Sequence, residues 1–222
     1  MNDATAHPGT VLAICRVHQL ITTKTGFGVT GIDKRPADGP VKLKRFGVFG
    51  DAVGDTEHHG GPDQAIYAYS QEDADYWSAE LGRPIPAGLF GENLRTQGVP
   101  TTRAVIGTRW RLGSALLEVT SPRVPCATFA ERMAEPQWVK RFTQAGLVGT
   151  YLRVLEHGKA QAGDAISVEH VPAHGITVGK FFSNPTVEDV QTLQALEAAG
   201  ELTLSGHFYA RFPKILRGSF SN

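Results

Sequence analysis

The chain has 222 residues, with 22 Lys+Arg against 22 Asp+Glu and a formal net charge of zero. That length suits one large domain, or one domain with a small appendage, and it buries enough core to fold without staples. Zero net charge argues against a protein built to grip nucleic acid or an anionic membrane.

In chain order, 25 glycines and 13 prolines without low complexity predict many turns and many short strands. Val11 to His18 is an apolar run of strand length. Thr22 to Pro40 is loop-like, and Val41 to Phe46 alternates as a second strand. Gly47 to Asp63 carries five glycines, three aspartates and two adjacent histidines, and long structured loops of this kind are often functional. Ala65–Tyr69 predicts a short buried strand. A helix follows, capped by Ser70 with Asp73 three residues on and ended by Gly82. Two strands flank Gly113 within Ala104–Thr120, and Ser121–Cys126 reads as a stiff loop. A helix starts at Pro136 and stops at Gly146. Strands at Thr150–Leu155 and Ala165–Val171 flank a turn at His157-Gly158. Beyond them, Thr186–Ala199 and His207–Leu216 are helical, the second disturbed at Pro213. The expected organisation is a strand-rich domain at 1–170 and a small helical one at 171–222. About 50 residues are marginal alone, so the tail should lean on the first domain or on a second subunit.

Two cysteines 111 positions apart form neither a zinc spacing nor a disulfide framework. The beginning of the sequence lacks a signal-peptide pattern, and no apolar run approaches the ~20 residues of a membrane-spanning helix. The expected setting is cytoplasmic and reducing.

Three loops concentrate the chemistry: 51–63, 90–93 and 121–126. Cys126 follows Pro122, Arg123 and Pro125, and a nearby Arg favours the thiolate. The residues alone leave open whether it is reactive or an ordinary half-buried cysteine. Cys15 reads as a small core residue. In His58-His59-Gly60-Gly61, glycine allows close backbone approach and histidine supplies a proton or hydrogen bond, although a surface turn explains the run equally well. Lys34, Arg35, Lys42, Lys44 and Arg45 form a basic group, either a solvated face or a phosphate site. Asn93 could fix a polar heterocycle through its amide.

Taken together, HHGGPDQAIYAY, LFGENL, IGTRWRLGSALLEV, SPRVPC and VGTYLRVLEHGKAQAGD resemble the MOSC-domain family. That fold is shared with the C-terminal domains of molybdenum cofactor sulfurases. The likeness is strongest to the bacterial hydroxylaminopurine-resistance type, which carries a C-terminal three-helix appendage, and it spans about residues 10–220. The resemblance implies an α+β fold, a β-barrel related to the pyruvate kinase barrel domain with a helical tail. It implies a molybdenum cofactor, with Cys126 as metal ligand, and reduction of N-hydroxylated small molecules to amines. His59, Gly60, Gly61 and Asn93 would line the pocket, His59 near the chemistry. Arg123, Lys34 and Arg35 would meet the pterin phosphate or its polar edge. Asp51, in the family's Gly-Asp turn, would hold its loop. Thr108 stands where the family shows Asp in a turn, and the tail lacks the family's usual tryptophan near 207–208. No flavin, nicotinamide or iron–sulfur motif is present, so a separate electron-donor protein is expected. A homodimer fits this reading, while nucleic acid and membrane do not. The competing reading is a non-enzymatic sulfur or cofactor carrier acting through Cys126.

Overall fold

The computed structural model describes residues 8–25, 28–53 and 60–218. Among them the strands are β1 (Gly9–Val17), β2 (Ile21–Thr22), β3 (Val29–Thr30), β4 (Lys34–Pro36), β5 (Val41–Lys44), β6 (Gly47–Val48), β7 (Ile66–Ser70), β8 (Leu94–Gln97), β9 (Arg109–Leu112), β10 (Ala115–Pro122), β11 (Thr150–Glu156), β12 (Gly158–Ala160) and β13 (Ala165–His170). The helices are α1 (Gln71–Leu81), α2 (Ala127–Met133), α3 (Trp138–Ala145), α4 (Val178–Ser183), α5 (Val187–Ala198) and α6 (Gly206–Leu216).

Seven strands close into a barrel in the order β13-β9-β10-β11-β7-β8-β1, and β1 pairs back onto β13. Closure removes the exposed sheet edges. β4 adds to β1 outside the ring, and a separate small sheet runs β12-β5-β6. Every barrel pairing is antiparallel except β7–β8, which is parallel with α1 in the crossover. The fold is α+β, as the sequence implies. Ser70 Oγ accepts the Asp73 N–H and Gly82 ends α1 in the left-handed region, so the first helix is capped as its sequence predicts.

Between β7 and β8 lies a buried ion pair. Glu92 and Arg95 are 0% and 1% exposed. Glu92 accepts the Gly88 and Phe90 N–H groups at 2.8 and 3.0 Å as well as the guanidinium. Arg95 also donates to Gln71 Oε1, Ile85 O and Pro86 O. Such a pair is tolerated in a dry core because all its polar atoms are met. Beside it packs an aromatic cluster of Trp77, Phe90, Phe129, Trp138 and Phe142, with ring centroids 4.6–6.0 Å apart.

The tail differs from expectation in two ways. It begins with α4, whose Phe181 and Phe182 are buried. α6 runs through Pro213, which removes one backbone donor without ending the helix. One apolar cluster runs from Val119 and Leu152 in the barrel to Phe181, Leu193 and Phe208 in the tail. Arg153 of β11 adds a polar tie, bridging Asp63, Glu118 and the carbonyl of Thr203. The tail's core is thus continuous with the barrel's. Among the described residues no helix is long and apolar enough to cross a membrane.

Glu92→Ala should cost about 3–5 kcal/mol in urea unfolding, since Arg95 would stay buried without its counterion. A loss under about 1 kcal/mol would show that the remaining carbonyl acceptors suffice. In the tail, burial first and Arg211 second push His207 down to about 4 from an ordinary 6.5. Between those values the unfolded chain binds a proton that the folded one refuses. Stability is therefore full above about pH 6.5 and falls as pH drops toward 4. His207→Gln should flatten that slope in melts run from pH 7 to pH 4.

Candidate active site

At one end of the barrel is a cavity of about 230 Å³. Its walls come from the 23–34 segment, the 51–53 and 64–67 turns, the 90–93 loop, the start of α2 and Tyr151. Period-2 alternation in β4 decides which cations reach it. Lys34 points inward and lines the cavity, while Arg35 is 56% exposed and points away, making only a long contact to Asp33. Arg35, expected behind Arg123 and Lys34, thus does not line the cavity.

Asp51 holds this end together. Its carboxylate accepts the Val17 N–H at 2.7 Å and the Asn93 amide at 2.7 Å, and it pairs with Lys34. Asn93 lies on the cavity wall, but its side-chain amide is occupied by structure. Nδ2 donates to Asp51 and to Cys15 O, while Oδ1 accepts the Tyr67 N–H. Its backbone carbonyl and N–H bond Cys15 and Tyr67 again. The asparagine is a clamp between β1 and β7, with no amide hydrogen left over to read a heterocycle. Gly91 on the same loop sits at φ +77, and a Cβ there would come within 2.9 Å of Ile32.

Arg123 is the opposite case. It is 6% exposed, its guanidinium lies 3.6 Å from the Phe129 ring centroid and 5.4 Å from that of Tyr67, and it lines the cavity. Its buried Nη1 has no hydrogen-bond partner among the described residues. Cation–π contact offsets part of the desolvation and leaves a donor that an anion would satisfy. Three residues on, Cys126 occupies the cap position of α2, half-buried, on the cavity wall. The sequence reading gave a stiff loop at Ser121–Cys126 and assigned nothing between it and Pro136, so α2 was not foreseen. That short helix also brings Thr128 to Thr25, with hydroxyls 2.7 Å apart. Burial raises the Tyr151 phenol above its ordinary range, so this lining group stays a hydrogen-bond donor at neutral pH.

His59 lies outside the described residues. Gly60 and Gly61 stand one step behind the cavity: the Gly60 N–H fixes Gln64 Oε1, and Gln64 is the lining residue. The site thus unites Cys126, Arg123, Lys34 and Asn93 and leaves Arg35, Gly60 and Gly61 off its wall. Sequence reasoning passed over Tyr67, Tyr151, Gln64 and the threonines, which carry no motif of their own.

Over residues 55–167 the chain matches the MOSC domain family. It is also 36% identical over 186 residues to the YflK protein of Bacillus subtilis (strain 168), across 83% of this chain and 84% of that one. The chain belongs to the MOSC family. MOSC domains as a class are associated with the molybdenum cofactor. A reductase of Gibberella moniliformis is 34% identical over 174 residues, which make up 76% of this chain and 30% of that larger protein. The crystal structure of YiiM from Geobacillus stearothermophilus superposes with a TM-score of 0.74 at 26% identity, covering 94% of this chain and 100% of that one.

The two thiols differ sharply. Cys15 is fully buried and its pKa is pushed up to about 12, by burial first and the Glu92 charge second. Below that value it is a neutral core thiol. A disulfide reagent at pH 8 should therefore titrate about one thiol in the folded protein and about two after denaturation. Cys126→Ala should remove the native signal.

Proposed function

We propose that this MOSC protein is a molybdenum-cofactor-dependent reductase of N-hydroxylated compounds, hydroxylaminopurine-type bases among them, supplied with electrons by a separate protein. The observation that best supports this reading is the buried, uncompensated Arg123 donor on the wall that carries Cys126. A desolvated cation costs several kcal/mol unless an anion meets it, and a phosphate- and dithiolene-bearing pterin is such an anion. The Cys126 thiolate is a soft ligand suited to a thiophilic metal. Among the described residues no three His, Cys, Asp or Glu side chains converge, so a metal at Cys126 would bring its other ligands with it.

The bound group would supply oxygen acceptance and two-electron transfer. Overall, R–NHOH with two electrons and two protons gives R–NH2 and water: the N–O bond breaks, one proton goes to nitrogen and one to the departing oxygen. The chain's own residues do the rest. Arg123 binds the anionic part of the cofactor, and Cys126 holds the metal. Lys34, held by Asp51, presents ammonium N–H donors at one fixed place on the wall. Tyr151 keeps its proton and can donate a hydrogen bond to the substrate. Phe46, on the cavity and 72% exposed, offers a ring face to a planar base at the mouth.

Protein made in a cofactor-producing host should carry about one molybdenum per chain. Cys126→Ala should lose reductase activity on hydroxylamines, and Arg123→Gln should weaken retention of the pterin by about 10–100-fold, read by metal and pterin analysis. Full activity of Cys126→Ala would refute the assignment. An extra sulfur on Cys126 with no bound pterin would make the protein a sulfur carrier instead.

A further inference from the structure

The basic residues that the sequence clusters at 34–45 are divided by the fold. Lys34 goes inward to Asp51, and the others face out. Two cross-strand registers then bring like charges together. Lys42 of β5 stands opposite Lys159 of β12, and Arg16 of β1 stands opposite Arg35 of β4. All four are exposed. Like charges directly opposite one another destabilise a sheet, so these registers hold repulsion that the free protein gains nothing from.

The two pairs belong to one surface. Lys42 and Lys44 lie 5.9 and 4.8 Å from the ring centroid of Phe49, which is 57% exposed. The next residue, Gly50, abuts the Arg16 guanidinium. Arg45 lies 5.5 Å from the Phe46 ring, and Phe46 forms part of the cavity mouth. Among the described residues none of Arg16, Lys42, Lys44, Arg45 or Lys159 forms an ion pair. The face therefore has exposed aromatic rings at its centre, unpaired cations around them, and the opening of the site at its edge.

We propose that this face docks an acidic electron-transfer protein, one carrying a flavin or an iron–sulfur centre, so that its redox group comes to rest beside Phe46 at the cavity mouth. The inference rests on the reductase reading, which requires an external donor of two electrons. An apolar, aromatic centre with a charged rim is the anatomy of a protein interface. Complementary charge would steer a transient partner and relieve the Lys–Lys and Arg–Arg repulsions on contact. Nucleic acid is the weaker match, because a neutral protein with a handful of surface cations has little field for a polyanion.

The test uses the intact purified protein, a reduced acidic [2Fe–2S] ferredoxin as probe, and the variant Lys42→Glu/Lys44→Glu/Lys159→Glu. Wild type should bind the ferredoxin, with Kd rising about tenfold between about 20 and 200 mM salt. The variant should bind at least about tenfold more weakly and show little salt response, yet keep wild-type turnover with a reduced viologen, which needs no docking face. A single Lys159→Glu should raise the thermal midpoint by placing opposite charge against Lys42 while weakening ferredoxin binding, a pairing that a purely structural role would not give. Unchanged ferredoxin binding in the triple variant, or tighter binding of a short DNA duplex than of ferredoxin by wild type, overturns the proposal. Loss of viologen-driven turnover in wild type itself would sink the reductase reading alone, because the binding measurement stands without it.

Discussion

One asparagine sets the geometry of the cavity end. Asn93 joins β1 through Cys15, β7 through Tyr67, and the 51 turn through Asp51, using both its backbone and its side chain. β7 and β8 are the barrel's parallel pair, so a long crossover must be bridged where a hairpin could otherwise set the register. The clamp does that. It also fixes Asp51, and Asp51 in turn fixes Lys34. The position of the inner cation thus follows from the requirement that the barrel close.

The two buried guanidiniums show what closure does not require. Arg95 has a carboxylate, a glutamine and two carbonyls around it, all from residues 71–92. Arg123 has aromatic rings and one donor unmet. Burying a charge with a donor unmet lowers stability, so structural need alone accounts for the first more fully than for the second. What sets Arg123 apart from the other unmatched buried donors is that it carries a charge and lines the cavity.

Much of this was legible in the sequence, for identifiable reasons. Ser70 with Asp73, Thr186 with Asp189, and Gly82 and Gly146 mark helix ends because capping is local chemistry. The strands at 11–18, 65–69 and 150–155 declare themselves by apolar runs, and the SPRVPC motif locates the cavity wall. What was not legible depends on long-range partners. α2 and α4 have seven and six residues, too short for a helical period to stand out. The alternation that turns Lys34 in and Arg35 out belongs to a three-residue strand that pairs only with β1. Asn93 looked like a reader of ligands because nothing local says its amide is already met by residues 15, 51 and 67.

Zero net charge gains meaning once these contacts are placed. Many charges cancel within the fold: Glu92 with Arg95, Asp51 with Lys34, Arg153 with Asp63 and Glu118, Arg111 with Glu156 and Glu169. Two groups stand out among the charges left over in the described residues: the Arg123 donor inside, and outside the exposed Arg16, Lys42 and Lys159 on β1, β5 and β12. The inner one is enclosed and suits a small anion. The outer one is broad, exposed and studded with Phe46 and Phe49, so it suits a macromolecule. Phe46 belongs to both, so under the reductase reading proposed above it is the ring past which an electron from a docked partner would have the shortest distance to travel.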